Sequence, residues 1–209
     1  MMEQDHNVNQ PNTAEQSKAK PQKNEFLEWV KAIAVAVVLV VIVRWLLFAP
    51  FIVDGPSMEP NFWTGERLIV NKILYDFRDP EAGEVVVFHV PAENRDLIKR
   101  VIAVAGDTVQ YTGDDLYING NKVEEPYIQE AIDQAHAEGK LYNDDEGRNY
   151  PNEMNTETTV PEGHIFVMGD HRNNSTDSRA LGFIPLEDVI GRADVIFWPL
   201  KNIQIVDHY

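Results

Sequence analysis

The sequence predicts an all-β domain of antiparallel sheets carried behind one N-terminal transmembrane helix. Three observations point there. A long apolar run occupies residues 29–49, short β-branched runs recur after residue 65, and helical periodicity is nearly absent from that second part.

Residues 1–28 come first. Up to residue 25 they are polar, rich in Asn, Gln and Lys, with two prolines and almost no large apolar groups. Such a stretch buries too little apolar surface to offset its ordering entropy, so a disordered tail is expected.

Residues 29–49 read WVKAIAVAVVLVVIVRWLLFA. At ~1.5 Å per residue they span about 30 Å, the thickness of a bilayer's hydrocarbon core. Lys31 and Arg44 stand near the two ends, where long side chains reach the headgroups, and Trp29 and Trp45 suit the interfaces. A buried soluble helix fits poorly, because the run is apolar on every face yet carries two cations. A cleavable leader fits poorly too, since Pro50 follows Ala49. Lys18, Lys20, Lys23 and Lys31 lie on the N-terminal side, and after Arg44 the next basic residue is Arg67. The positive-inside rule then puts the N-terminus in the cytoplasm and residues 50–209 outside.

The exported part reads as strands at 67–71 (RLIVN), 84–90 (EVVVFHV), 96–105 (DLIKRVIAVA), 165–168 and 194–197. Residues 117–123 contain Asn119-Gly120, a hairpin turn signal. A helix is expected only near 128–138. Residues 110–160 hold 12 acidic and three basic side chains, more than half of the net charge of -16, and are expected to form a mobile, insertion-like excursion from the core sheet. That charge argues against a nucleic-acid partner. With no cysteine there is no disulfide, thiolate metal site or cysteine nucleophile, and no two of the six histidines have ligand spacing, so neither a metal nor a cofactor is expected.

Chemistry concentrates in three blocks. Asp54-Gly55-Pro56-Ser57-Met58-Glu59-Pro60 sets a serine between two prolines on a constrained loop. In Leu97-Ile98-Lys99-Arg100-Val101, charge interrupts an apolar strand. Alternation sends Lys99 and Arg100 to opposite faces, so one of them meets apolar surroundings or a cleft. Lysine can go there by losing its proton, whereas arginine cannot usefully do so. Gly169 to Arg179 (GDHRNNSTDSR) is a loop dense in hydrogen-bonding groups directly after a strand.

In this order, behind an N-terminal anchor, the blocks resemble the type I signal peptidases, and the resemblance covers the anchor and nearly all of 50–200. That family has a Ser-Met-x-Pro box, a Lys-Arg pair on a strand ending in Gly-Asp, and a Gly-Asp-Asn-Arg-x-x-Ser-x-Asp-Ser-Arg box. Here these are 57–60, 99–107 and 169–179. The resemblance implies a membrane-bound endopeptidase that removes signal peptides from exported preproteins through an acyl-enzyme. Ser57 would be the nucleophile and Lys99 the general base, with the Ser57 backbone N–H as oxyanion donor. Ser175 would orient the lysine amine, Asp177 and Arg179 would form a supporting ion pair, and Gly106 and Asp107 a turn positioning the lysine strand. Phe51, Val53, Met58, Leu97 and Ile98 would line shallow pockets for small residues at the -1 and -3 positions of the substrate. The implied partners are those preproteins and the lipid bilayer.

The chain departs from the family pattern at three places. Asn61 stands where Thr is usual, His171 replaces the Asn of the third box, and Ala103-Val104-Ala105 replaces a frequent Gly-x-Pro. Gly55 and the single anchor resemble the Gram-positive branch; in other members a serine at the Gly55 position supplies a second oxyanion donor. A Ser57–His171 pair is the chemical rival. A non-catalytic, membrane-anchored assembly helper is the functional rival, though such a member would be expected to lose the serine or the lysine.

Overall fold

The computed structural model describes residues 25–143 and 148–209, with backbone alone at 25 and 42–48. The expected tail therefore lies outside the described residues up to 24, as do 144–147 of the acidic stretch. By internal contacts the chain divides into Met1–Val40 and Val41–Tyr209.

Helix α1 begins at Glu25, four residues before the apolar run, and continues to Leu47. Its described side chains from 26 to 41 are exposed, with no segregated polar face. Among the described residues no helix is long and apolar enough to cross a membrane.

The second unit is built on antiparallel sheets. Its strands are β1 (Phe48–Ile52), β2 (Arg67–Asn71), β3 (Val85–Val90), β4 (Arg95–Val104), β5 (Val109–Thr112), β6 (Asp115–Ile118), β7 (Asn121–Val123), β8 (His164–Met168), β9 (Ile184–Pro185), β10 (Val189–Trp198) and β11 (Gln204–Ile205). The larger sheet runs β1-β2-β10-β3-β4-β8-β9, with β11 on β10, and β5-β6-β7 form a second sheet. Every pairing is antiparallel. The Asn119-Gly120 turn joins β6 to β7, both residues at positive φ. Helix α2 (Gln129–Ala137) falls where the sequence expects one, and the one-turn helix α3 (Ser178–Leu181) begins within the last two residues of the third block.

Both faces of the central strands are covered, which explains their near-continuous β-branched runs. Along β3, Val85 and Val87 join one core cluster with Leu68, Ile98 and Ile196. Val86, Phe88 and Val90 join another with Val101, Ile165 and Val167. A third cluster, including Tyr111, Leu116, Tyr150, Phe166 and Met168, packs the acidic stretch onto β8. Reciprocal backbone bonds between Tyr111 and Tyr150 tie the far end of that stretch to β5. The stretch thus contributes a sheet, a helix and core side chains to the unit.

Strand β4 matters most for the site. It pairs with β3 over Arg95–Arg100, Lys99 facing Val86, and with β8 only from Arg100 onward, through a register shift between Val101 and Ala103. The strand stops at Gly106-Asp107. Gly106 takes positive φ, and the Asp107 carboxylate accepts from the Val104 N–H at 3.1 Å and from Asn119 Nδ2 at 2.7 Å. Gly106 and Asp107, the pair that the resemblance implied as a turn, thus tie the end of the lysine strand to the β6–β7 hairpin.

Candidate active site

Alternation along β4 puts Arg95, Leu97 and Lys99 on one face, and all three line a cleft of about 180 Å³ with Asp54, Gly55, Ser57 and Ser175. Lys99 is 1% exposed. Its Nζ lies 2.7 Å from Ser57 Oγ and also donates to the Ile98 carbonyl at 2.7 Å. Burial pushes its pKa down from 10.5 to about 8, against the opposing pull of the Asp177 and Asp170 carboxylates, with Arg95 and Arg179 adding to the depression. The apolar neighbours across and along the strand, Val86 and Val101, withhold the solvation that an ammonium would need.

Ser57 sits on a short turn after Gly55, which has φ near +90°, a conformation that suits glycine. Gly55 lines the cleft without offering a side chain to it, and nothing lies within 4 Å of where a Cβ would project. The turn is braced by the third block. The His171 backbone N–H donates to the Ser57 carbonyl at 3.1 Å, and His171 Nδ1 lies 3.1 Å from the Pro56 carbonyl. Gly169 makes this approach possible: a Cβ there would sit 2.2 Å from Ser175 Oγ and 2.4 Å from the Ser57 carbonyl oxygen. Only a residue without a side chain fits between them.

Buried arginine–carboxylate pairs hold the third block. Arg179 grips Asp177 at 2.9 and 2.8 Å, and Asp177 also accepts from the Gly169 N–H at 3.0 Å. Burial pushes the Asp177 carboxyl up, but the Arg179 charge and these hydrogen bonds outweigh it and hold the pKa below the ordinary value. Arg100, leaving β4 opposite to Lys99, grips Asp170 at 2.9 and 2.8 Å and lies over the Tyr127 ring at 4.0 Å. Arg172 grips Glu125 with two bonds of 2.6 Å. Such two-point pairs fix direction as well as distance.

The structure brings together most of the residues singled out in the sequence, with differences. Ser57, Lys99, Leu97 and Ser175 share the cleft. Ser175 Oγ is buried without a hydrogen-bond partner of normal geometry among the described residues, so the contact holding the Lys99 amine is the Ile98 carbonyl instead. Val53, Met58 and Ile98 are 2%, 0% and 3% exposed and belong to the core cluster behind the sheet, and Phe51 packs partly buried against it. The pleat explains this: Ile98 faces away from Leu97 and Lys99. Of the five expected pocket residues, Leu97 alone lines the cleft.

Sequence reasoning missed the Arg100–Asp170 and Arg172–Glu125 pairs and the side chains of Tyr142, Arg148, Asn152 and Asn155 that bond the third block. Tyr142 Oη donates to the Asp170 carbonyl at 3.0 Å, Arg148 Nη1 to the Ser175 carbonyl at 2.7 Å, and Asn152 and Asn155 to the Arg179 carbonyl. The Arg100 pair had a signal, since an arginine facing opposite to a buried lysine needs a carboxylate. Asn61, a departure from the family pattern, bonds Asp170 Oδ2 at 2.8 Å and the Tyr127 carbonyl at 2.9 Å, so it joins the Arg100 network.

A serine hydroxyl held against a buried amine of depressed pKa, with no histidine among the described residues bonded to the serine oxygen, places the molecule among the hydrolases that pair serine with lysine. The signal peptidase family, peptidase S26, matches residues 26–198. The signal peptidase I of Bacillus licheniformis is 41% identical over 193 residues, covering 92% of this chain and 99% of that protein. A signal peptidase IB of Staphylococcus aureus is 39% identical over 183 residues, 87% of this chain and 94% of the relative. A signal peptidase I structure from Enterococcus faecalis is 33% identical, covering 55% of this chain and 97% of its own, with a TM-score of 0.45. The chain belongs to the peptidase S26 family of signal peptidases, and is a serine endopeptidase.

Proposed function

We propose that this chain is a membrane-anchored signal peptidase that cleaves exported preproteins through Ser57 and Lys99. The observation that carries the proposal is the 2.7 Å approach of Lys99 Nζ to Ser57 Oγ, on a lysine that is 1% exposed. At a pH of about 8 much of Lys99 is a neutral amine. The contact then runs with the serine hydroxyl donating to the amine lone pair. As Oγ attacks the scissile carbonyl carbon, its proton passes to Nζ, and the Ser57 backbone N–H stabilises the negative charge on the carbonyl oxygen. The ammonium returns the proton to the leaving amine, which departs with the mature protein. Water then attacks the Ser57 ester, again giving a proton to Lys99, which passes it to Ser57 Oγ as the ester bond breaks; the signal peptide leaves as a carboxylic acid. No metal or cofactor has a part in this sequence.

The substrates proposed carry small residues at -1 and -3, which a shallow cleft beside Leu97 suits. The anchor is residues 29–49, on their apolar length and flanking Trp and basic residues, with the N-terminus cytoplasmic and the catalytic unit extracytoplasmic. The rival reading, a non-catalytic assembly helper, has no account of why a buried lysine meets a serine hydroxyl. The test is cleavage of a preprotein by the full chain in detergent micelles. Correct N-terminal processing by the native chain and none by Ser57→Ala supports the proposal; equal processing by both refutes it.

A further inference from the structure

We propose that His171 is a positioning residue that aims the Ser57 backbone N–H at the developing oxyanion. The inference rests on the functional reading above, in which that N–H is the oxyanion donor.

His171 holds both peptide units that flank the nucleophile. Its backbone N–H donates to the Ser57 carbonyl at 3.1 Å. Its ring Nδ1 lies 3.1 Å from the Pro56 carbonyl oxygen, and because a carbonyl can only accept, Nδ1 carries the proton. The Pro56 carbonyl and the Ser57 N–H belong to one planar trans peptide unit and point in opposite directions. Whatever fixes the carbonyl therefore fixes the line along which the N–H projects. Among the described residues the other donor to this oxygen is the Glu59 N–H at 3.0 Å, which belongs to the same turn and moves with it. The histidine is the brace that comes from outside the turn.

The ring is itself held. It stacks on Tyr142 with planes 4° apart and centroids 6.3 Å apart. Tyr142 Oη is in turn bonded to the Asp170 carbonyl at 3.0 Å. Asp170 is the residue before His171 and is clamped by Arg100. The imidazole is thus pinned to the rear of the lysine strand. Two donors on one carbonyl also polarise its peptide unit and strengthen the N–H as a donor. The ring does not touch Ser57 Oγ, which is occupied by Lys99, so its effect on the reaction passes through the backbone.

This matters more here than where a second oxyanion donor exists, because Gly55 has no side chain to offer one. Asparagine, the residue the family pattern has at this position, can present its amide nitrogen where the histidine presents Nδ1. The contact is therefore the property shared by the two side chains.

The test compares the full chain in detergent with His171→Asn, His171→Phe and His171→Ala on one preprotein. Phenylalanine keeps a ring for Tyr142 but has no donor. The expected result is a kcat lowered about ten- to a hundredfold in His171→Phe with KM little changed, because oxyanion contacts strengthen only in the transition state. His171→Asn should restore kcat to within about threefold. A substrate-matched peptide aldehyde, whose adduct with Ser57 carries an oxyanion, should lose affinity in His171→Phe by a similar factor, while an uncleaved amide peptide should not. Wild-type kcat in His171→Phe, or equal losses in kcat and amide-peptide affinity, would overturn the proposal. If thermal melting shows that phenylalanine is not tolerated, His171→Ala repeats the comparison with the same expectations. Ser57→Ala separates the two readings: a dead Ser57→Ala beside a fully active His171→Phe removes the brace alone, whereas an active Ser57→Ala removes the functional reading with it.

Discussion

Lys99 and Arg100 are consecutive on β4, both almost fully buried, and leave the strand on opposite faces. Lys99 meets Ser57 Oγ on one side; Arg100 closes two hydrogen bonds on Asp170 on the other. Asp170 precedes His171, whose backbone and ring bind the carbonyls on either side of the Ser57 nitrogen and Cα. One strand therefore supplies the base and, through its reverse face, the anchor for the loop that steadies the nucleophile. The pair also shows opposite answers to the same cost of burial: the lysine shifts toward neutrality, and the arginine finds a carboxylate and an aromatic face.

Removing one partner of the Arg100–Asp170 pair should be costly. Asp170→Ala leaves a buried guanidinium without its carboxylate, an expected loss of about 3–5 kcal/mol in denaturant unfolding. The double variant Arg100→Met/Asp170→Ala should recover part of that loss, because no uncompensated charge remains. Equal destabilisation of the single and double variants would show that the pair is not what holds this corner.

Lys99 itself should cost stability. Its pKa is lower folded than unfolded, so the penalty is complete below about pH 8 and disappears as pH rises toward 10.5, where the unfolded chain also loses its proton. Lys99→Met should therefore be inactive yet more stable near neutral pH, by an amount of order 3 kcal/mol at most. The difference should shrink in unfolding measurements carried out at alkaline pH. A Lys99→Met chain less stable than the native one at neutral pH would contradict the depressed pKa.

How much of this was legible in the sequence follows from how local each feature is. Strands β2, β3, β4 and β8, the Asn119-Gly120 turn and helix α2 each carry their pattern in adjacent residues. Strand β1 does not, because Phe48 and Ala49 continue the apolar run and only pairing with β2 makes them extended. Strand β10 is longer than its visible core, since Gly191 and Arg192 break the β-branched pattern while the flanking strands hold them in register. Arg172 and Glu125 lie 47 positions apart, and nothing local links them. The family resemblance implied Val53, Met58 and Ile98 as pocket residues; here all three are core side chains, Ile98 because the pleat of β4 turns it away from Lys99.

Ser57 and Lys99 should behave as one unit. Ser57→Ala removes the attacking oxygen and Lys99→Ala its base, so each should reduce turnover to background while melting remains cooperative. The double variant should be little worse than either single one. Independent, multiplicative losses would mean that the two side chains serve different steps.

The proposed topology predicts that protease added outside intact cells reaches residues 50–209 and leaves the N-terminal segment protected. The reasons are the lysines before residue 32 and the apolar length of 29–49. Protection of the catalytic unit from outside would reverse the orientation.

The measurement that tests the central claim most directly is the pH dependence of preprotein cleavage by the full chain, with Lys99→Arg and His171→Asn beside it. Cleavage should rise with pH through a limb centred at about 8, well below the ordinary lysine value, as Lys99 gives up its proton. Lys99→Arg should be inactive at every pH, because a guanidinium keeps its proton. His171→Asn should retain the limb. An active Lys99→Arg chain, or a limb that disappears in His171→Asn, would contradict lysine as the base.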